Sequence, residues 1–100
     1  MTDILWTPQA IEDLEAIRDY VARDSEHYAA LLAERLFSSV DHLAAFPEAG
    51  RIVPEFQRPE LRETILGSYR VVYRLRADRV EVLTVFHGAR LFPKTFEDAL

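Results

Sequence analysis

The second half of this 100-residue chain holds nine of its twelve basic side chains, where the stretches FPEAGRIVPEF, LRETILGSYRVVYRL and VEVLTVFHGAR follow with little spacer. Several residue types there can handle phosphate or protons. Arg62, Arg70 and Arg90 could hold a phosphate, Glu63 or His87 could move a proton, and Tyr69 or Tyr73 could stack or donate a hydrogen bond. The same stretches also read as a recognition surface. Arg51, Arg70, Arg74 and Arg90 recur at regular places, and a partly buried arginine needs an acidic partner, which a second chain can supply. Each residue has a plainer account beside these: His87 before Gly88 suits a hydrogen-bonded structural histidine, and Tyr69 and Tyr73 share a core-leaning strand face. Arg62 and Glu63, adjacent in a strand, project to opposite faces, so each needs a partner elsewhere on the sheet. Gly50 and Gly88 suit tight backbone turns.

The elements that must position these groups can be read from periodicity. Ile4, Leu5 and Trp6 form a short strand-like run, and Thr7-Pro8 supplies an N-cap and a proline at the first helical position. Ile11, Leu14, Ile17 and Val21 then recur at helical spacing opposite an acidic, solvated stripe. Asp24 or Ser25 caps a second helix whose apolar positions Leu32, Leu36, Val40 and Leu43 run on to Phe46, with Pro47 just beyond its end. The short connection makes the two an antiparallel hairpin. After an irregular stretch holding Gly50, Pro54 and Pro59, three runs read as strands: 63–66, 69–75 and 80–87. Gly67-Ser68 is a two-residue hairpin turn. In the middle strand Tyr69, Val71, Tyr73 and Leu75 point to the core, leaving a partly cationic face with Arg70 and Arg74. The last strand is apolar on both faces and is expected to be central.

Composition narrows the function classes. One hundred residues make a single domain, 1–100, able to bury roughly 60–70% of its unfolded surface without staples. Without cysteine there is no disulfide, thiolate metal site or cysteine nucleophile, and His27, His42 and His87 lack ligand spacing, so no metal or cofactor is expected. The N-terminus MTDILWTP lacks a signal-peptide pattern and no apolar run suits a membrane span, which reads as a cytoplasmic protein. Residues 1–49 carry ten acids against three arginines, whereas 50–100 carry nine basic residues against seven acids. A net charge of −5 disfavours binding of nucleic acid by bulk counterion release, and no direct sequence-specific contact with it is expected. Eleven of the twelve cations are arginine, which favours directional, forked hydrogen bonds.

Taken in series, WTPQAIEDLEAIRDYV, FPEAGRIVPE, LRETILGSYRVVYRL and VLTVFHGAR resemble the RelE/ParE superfamily of toxins from bacterial type II toxin–antitoxin modules. The resemblance spans nearly the whole chain and is closer to the ParE branch. It implies an α+β fold: an N-terminal strand, an antiparallel helical hairpin, then three antiparallel strands completing a small sheet. It also implies a cognate antitoxin whose C-terminal segment folds onto this domain in a hetero-oligomer, with Arg51, Arg70, Arg74 and Arg90 as the expected contacts.

The superfamily divides by mechanism. RelE-like members cleave mRNA on the ribosome, and on that reading Arg70, His87 and Arg90 are the catalytic candidates. The RelE pattern typically has lysines before the central strands and a tyrosine near the C-terminus; here Lys94 is the only lysine, and Phe92 and Phe96 occupy the tail. ParE-like members inhibit DNA gyrase by binding, causing growth arrest. The segment ARLFPKTFEDAL fits that role through Leu91, Phe92, Phe96 and Leu100, which either contact the target or fold back on the sheet. A relative that has lost toxicity and only forms the antitoxin complex is a third reading.

Overall fold

Thr7 and Pro8 turn the chain from strand to helix as their types require. The Thr7 hydroxyl accepts from the Ala10 N–H at 3.3 Å and donates to the Val82 carbonyl at 2.7 Å, so one side chain caps a helix and ties it to a strand. The computed structural model describes residues 1–94 and 96. Its elements are β1 (Asp3–Trp6), α1 (Pro8–Ala22), α2 (Glu26–Ser38), a 3-10 turn (Asp41–Ala44), β2 (Arg51–Ile52), β3 (Leu61–Leu66), β4 (Tyr69–Leu75) and β5 (Arg79–His87). This is the expected α+β arrangement with one addition. Strand β2, two residues long, extends the sheet at its far edge to the order β1-β5-β4-β3-β2. The N-terminal strand β1 runs parallel to β5 and the remaining pairs are antiparallel, so β5 lies inside the sheet, as its two apolar faces predict. No described helix is long and apolar enough to cross a membrane.

The second helix ends earlier than its apolar spacing predicts. It stops at Ser38, because the Ser39 hydroxyl bonds back to the Leu36 carbonyl at 2.6 Å and the β-branched Val40 follows. The 3-10 turn continues the path and still delivers Leu43 fully buried. Both helices lie on one face of the sheet. There Ala10, Leu32, Leu36, Val40 and Leu43 enclose Val71, Tyr73, Val80, Val82 and Val85.

Strand β5 keeps this face apolar by means of a bulge. Val72 stands opposite Thr84 but Tyr73 stands opposite Val82, so Leu83 is left over and the alternation changes phase. Val80 and Val82 on one side of the bulge, and Val85 on the other, therefore all reach the helical face. Asp13 of α1 satisfies the displaced groups, its Oδ2 accepting from the Thr84 hydroxyl at 2.5 Å and the Val85 N–H at 3.2 Å.

The loop before β2 is pinned by Tyr73. Its buried hydroxyl accepts from the Gly50 N–H and donates to the Pro47 carbonyl, both at 2.9 Å, and burial pushes the phenol pKa up. A Cβ on Gly50 would overlap that hydroxyl and lie 2.6 Å from the Glu63 carbonyl oxygen, so glycine is required by close approach. Tyr73→Phe leaves two buried backbone groups unpaired and is expected to cost about 1–3 kcal/mol in urea unfolding. A loss below a few tenths of a kcal/mol would remove the tyrosine from this role.

Candidate functional site

The sheet face opposite the helices was expected to be partly cationic. It carries Arg51, Arg70 and Arg74, and of these Arg70 is enclosed. The turn at Gly67, with φ +58°, and the following Ser68 close a two-residue hairpin of the II′ kind. This sets the register that places Ile65 opposite Arg70, and Glu63 opposite Val72 on one side and Arg51 of β2 on the other. Arg70 then reaches diagonally to Glu63, and its Nε donates to Oε1 at 2.6 Å. Its Nη1 and Nη2 donate to the two carboxylate oxygens of Glu55 at 2.7 and 2.8 Å, a bidentate fork. The other oxygen of Glu63 accepts from Arg51 Nε at 2.5 Å.

The result is a chain of four charges, Glu55–Arg70–Glu63–Arg51, that passes from surface to interior and back. Side-chain exposure is 45% at Glu55, 10% at Arg70, 0% at Glu63 and 60% at Arg51. Aromatic rings cover the middle. The Arg70 guanidinium lies 4.9 Å from the Phe92 ring centre and 5.3 Å from that of Phe86. Phe92 stacks on Phe96 at 5.1 Å, and both meet Phe56 edge-on. The tail residues Phe92 and Phe96 thus fold back on the sheet, with Val53, Leu61, Val72 and Phe86 beneath. Leu91 before them is almost fully exposed. Leu100 lies outside the described residues.

The remaining sequence candidates, His87 apart, do not gather at this cluster. Arg62 spends its donors on the carbonyls of Pro59, Glu48 and Gly50, fixing the loops beside β2. Arg74, two strand steps beyond Val72, and Arg90, past the end of β5, make no ion pair with a described carboxylate. His87 packs edge-on against Tyr69, and its Nδ1 accepts from the Ala89 N–H at 3.2 Å, which leaves Nε2 to carry the proton in the neutral ring. His87 borders two hollows. One is a shallow pocket of about 430 Å³ shared with Arg51, Ile65 and Arg70. The other is a groove of about 920 Å³ between α1 and the end of β5. Ile17, Tyr20, Tyr69, Val85 and Leu91 give the groove an apolar lining, and Arg90 stands at its margin.

Sequence reasoning missed Glu55 as the partner of Arg70, and it missed the groove. The signal for Glu55 was the second carboxylate within FPEAGRIVPEF, but the loop path that brings it to β4 depends on β2, which is too short to read.

Hydrogen bonding to Arg70 holds the Glu55 carboxyl below its ordinary range, and the same fork, with Glu63, raises the guanidinium further above its own. A carboxyl whose folded pKa is depressed contributes stability that is full above its unfolded value, about 4.3, and is lost as pH falls through the lower folded value. The urea midpoint should therefore drop as pH falls below about 4.3, the unfolded value, and Glu55→Gln should flatten that part of the profile. Because Glu55 is nearly half exposed, the effect is small after solvent screening. Glu63→Gln, which strips charge from a fully buried partner of two arginines, should destabilise by about 3 kcal/mol or more at pH 7. An unchanged pH slope in Glu55→Gln would exclude the fork as its source.

The geometry can be compared with known proteins. The family model of the ParE toxin of the type II toxin–antitoxin system, parDE, matches residues 4–92. The chain is 36% identical over 92 residues to Toxin RelE2 of Caulobacter vibrioides, covering 91% of this chain and 100% of that protein. Among solved structures, the chromosomal ParDE TA system from P. aeruginosa superposes with a TM-score of 0.74 at 25% identity, covering 87% of this chain and 96% of that one. The toxin–antitoxin complex RelBE2 from Mycobacterium tuberculosis shares the fold, with a TM-score of 0.54 at 21% identity over 86% of this chain and 96% of that one.

Proposed function

Because the chain belongs to the ParE toxin family of type II toxin–antitoxin systems, we propose that it acts by binding DNA gyrase and is neutralised by a cognate antitoxin. The observation that supports binding over RNA cleavage is the condition of Arg70. A cation that stabilises a phosphate in a transition state must have donors to offer it. Arg70 gives three of its five N–H groups, one from each nitrogen, to carboxylates, its guanidinium lies against the rings of Phe86 and Phe92, and Glu55 and Glu63 would repel a phosphate brought to the same place. That face is built to hold the tail in place. The tail in turn presents Leu91 to solvent, with Phe92 and Phe96 as its anchors, and on this reading Leu91 and the segment through Leu100 form the contact with the target.

The antitoxin is assigned to the groove between α1 and β5. An amphipathic segment laid there would cover Ile17, Tyr20, Val85 and Leu91 and set an acidic side chain against Arg90. Arg74 and Arg51 offer further cationic contacts on the other face, whereas Arg70 contributes by holding Glu63 and Glu55 in place.

Ribosome-dependent mRNA cleavage is the second reading, and the shallow pocket favours it. Exposed Arg51 and the Nε2 proton of His87 meet there and could engage a phosphate.

Two measurements test the proposal. In pulse-labelling after induction without antitoxin, DNA synthesis should fall before protein synthesis; the opposite order would select the nuclease reading, and no fall in either would select a non-toxic relative. In a titration with the antitoxin, Arg90→Ala and Arg74→Ala should each weaken affinity about tenfold, about 1.4 kcal/mol. Unchanged affinity in both variants would take the arginines out of the interface.

A further inference from the structure

Strand β1 is an open edge of the sheet, and its backbone pattern is self-complementary. The Thr7 N–H donates to the Val82 carbonyl of β5 at 3.1 Å. Alternate residues of a strand present their backbone groups to the same side, so Leu5 and Asp3 also face β5 while Ile4 and Trp6 face outward. The Thr2 N–H, on the outward parity, bonds at 2.9 Å to the Ala44 carbonyl of the 3-10 turn and so is already used. Among the described residues β1 pairs with β5 alone, which leaves the N–H and C=O of Ile4 and Trp6 as a two-residue template. Unpaired edges of this kind recruit another strand unless charge, proline or a bulge blocks them. Here the flanking side chains are apolar. Leu5 is 49% exposed on one face, and Phe37, stacked on Trp6 at 5.2 Å, is 50% exposed on the other.

We propose that this edge pairs with the β1 edge of a second copy of the chain, forming a two-fold dimer with one continuous ten-stranded sheet. The register follows from the outward groups. If Ile4 of one copy makes the hydrogen-bonded pair with Trp6 of the other, the two-fold axis passes through Leu5, which then faces its own symmetry mate in a non-hydrogen-bonded pair. Both copies contribute the same bonds, four in all. On the helical face each Trp6–Phe37 stack lies beside Ile4 of the other copy, and on the opposite face the two Leu5 side chains meet. The charge at the seam does not oppose this. Asp3 pairs with Thr7 of the other copy, and the two Asp3 residues stand four strand steps apart, about 13 Å, beyond the Debye length of about 8 Å at physiological salt. Each Asp3 also lies opposite Arg79 of β5 in its own chain. The occupant is a second copy because the axis position superposes an exposed leucine on itself, whereas the groove between α1 and the end of β5 calls for a partner of opposite charge.

The experiment uses the full chain, and the absence of native cysteine makes it direct. Facing residues of a non-hydrogen-bonded antiparallel pair have Cα atoms about 4.5 Å apart, within disulfide reach. Leu5→Cys should therefore become a covalent dimer under mild oxidation at micromolar concentration, at least tenfold faster than Leu91→Cys, whose side chain is more exposed but lies elsewhere. Sedimentation equilibrium of the unmodified chain should show a concentration-dependent monomer–dimer exchange. Leu5→Lys, which sets two like charges face to face without touching the core, should abolish it while leaving the circular dichroism spectrum unchanged. A monomer at all concentrations, with Leu5→Cys cross-linking no faster than Leu91→Cys, would overturn the proposal. So would an edge that becomes protected from amide exchange only when antitoxin is added, since that would assign it to the antitoxin strand.

Discussion

A buried guanidinium at the middle of a four-charge chain governs one entire face of this protein. Arg70 stands on the face of β4 that strand alternation leaves cationic, yet it is only 8% exposed. Taking a cation out of water is costly unless charge and hydrogen bonds are returned to it. Glu63, itself fully buried, and Glu55 return both. To supply Glu55, the segment after β2 must cross back over the sheet, and to exclude water above the cluster Phe92 must lie on the guanidinium. The paths of two otherwise irregular segments, the loop from Val53 to Phe56 and the tail from Phe92 to Phe96, therefore follow from where one charge is buried. Phe56, Phe92 and Phe96 meet one another above the guanidinium, with Val53, Leu61, Val72 and Phe86 in the same apolar cluster.

The two faces of the sheet are consequently specified in different ways. The helical face relies on hydrophobic burial and on shape, with the β5 bulge re-phasing three valines toward the helices and Asp13 satisfying the groups the bulge displaces. Volume-conserving exchange is tolerated best by such a surface. The other face relies on directional bonds that fix which residues can meet, and little can be exchanged there without stranding a charge. Between them, at the end of β5, the chain turns away from the sheet. That turn is where the groove, His87, Arg90 and Leu91 come together, at the seam between a face held by packing and a face held by ion pairs.

Much of this was legible in the residues. Thr7-Pro8 marked the first helix, Gly67-Ser68 the hairpin, and the apolar run from Val80 the interior strand, because each is a local rule that the tertiary structure did not need to override. The parts that were not legible depend on pairs distant in sequence. Strand β2 has two residues and no pattern of its own; it exists because Arg51 finds Glu63 across the edge. The end of α2 turned on a serine hydroxyl bonding back to the helix, which apolar spacing does not register. The alternation of Arg70, Val72 and Arg74 correctly placed them on one face, but an exposed cationic face and a buried ion-pair network have the same alternation. Only the position of the Glu55 loop distinguishes them.

That last ambiguity bears on how members of one fold come to act differently. A small sheet with a helical hairpin on one side presents the same strand positions whatever those positions do, and function resides in the side chains grafted there. An arginine at the centre of β4 can serve a reaction only if its donors are free to follow charge as it develops, and it can serve as a structural tie only if they are not. The two uses exclude each other at a single residue. In this chain the neighbouring carboxylates, one from β3 and one from the preceding loop, bond the guanidinium, and the ring of Phe92 lies over it. The carboxylates beside the arginine, more than the arginine itself, therefore carry the distinction, and they are the positions at which two chains of this fold should be compared first.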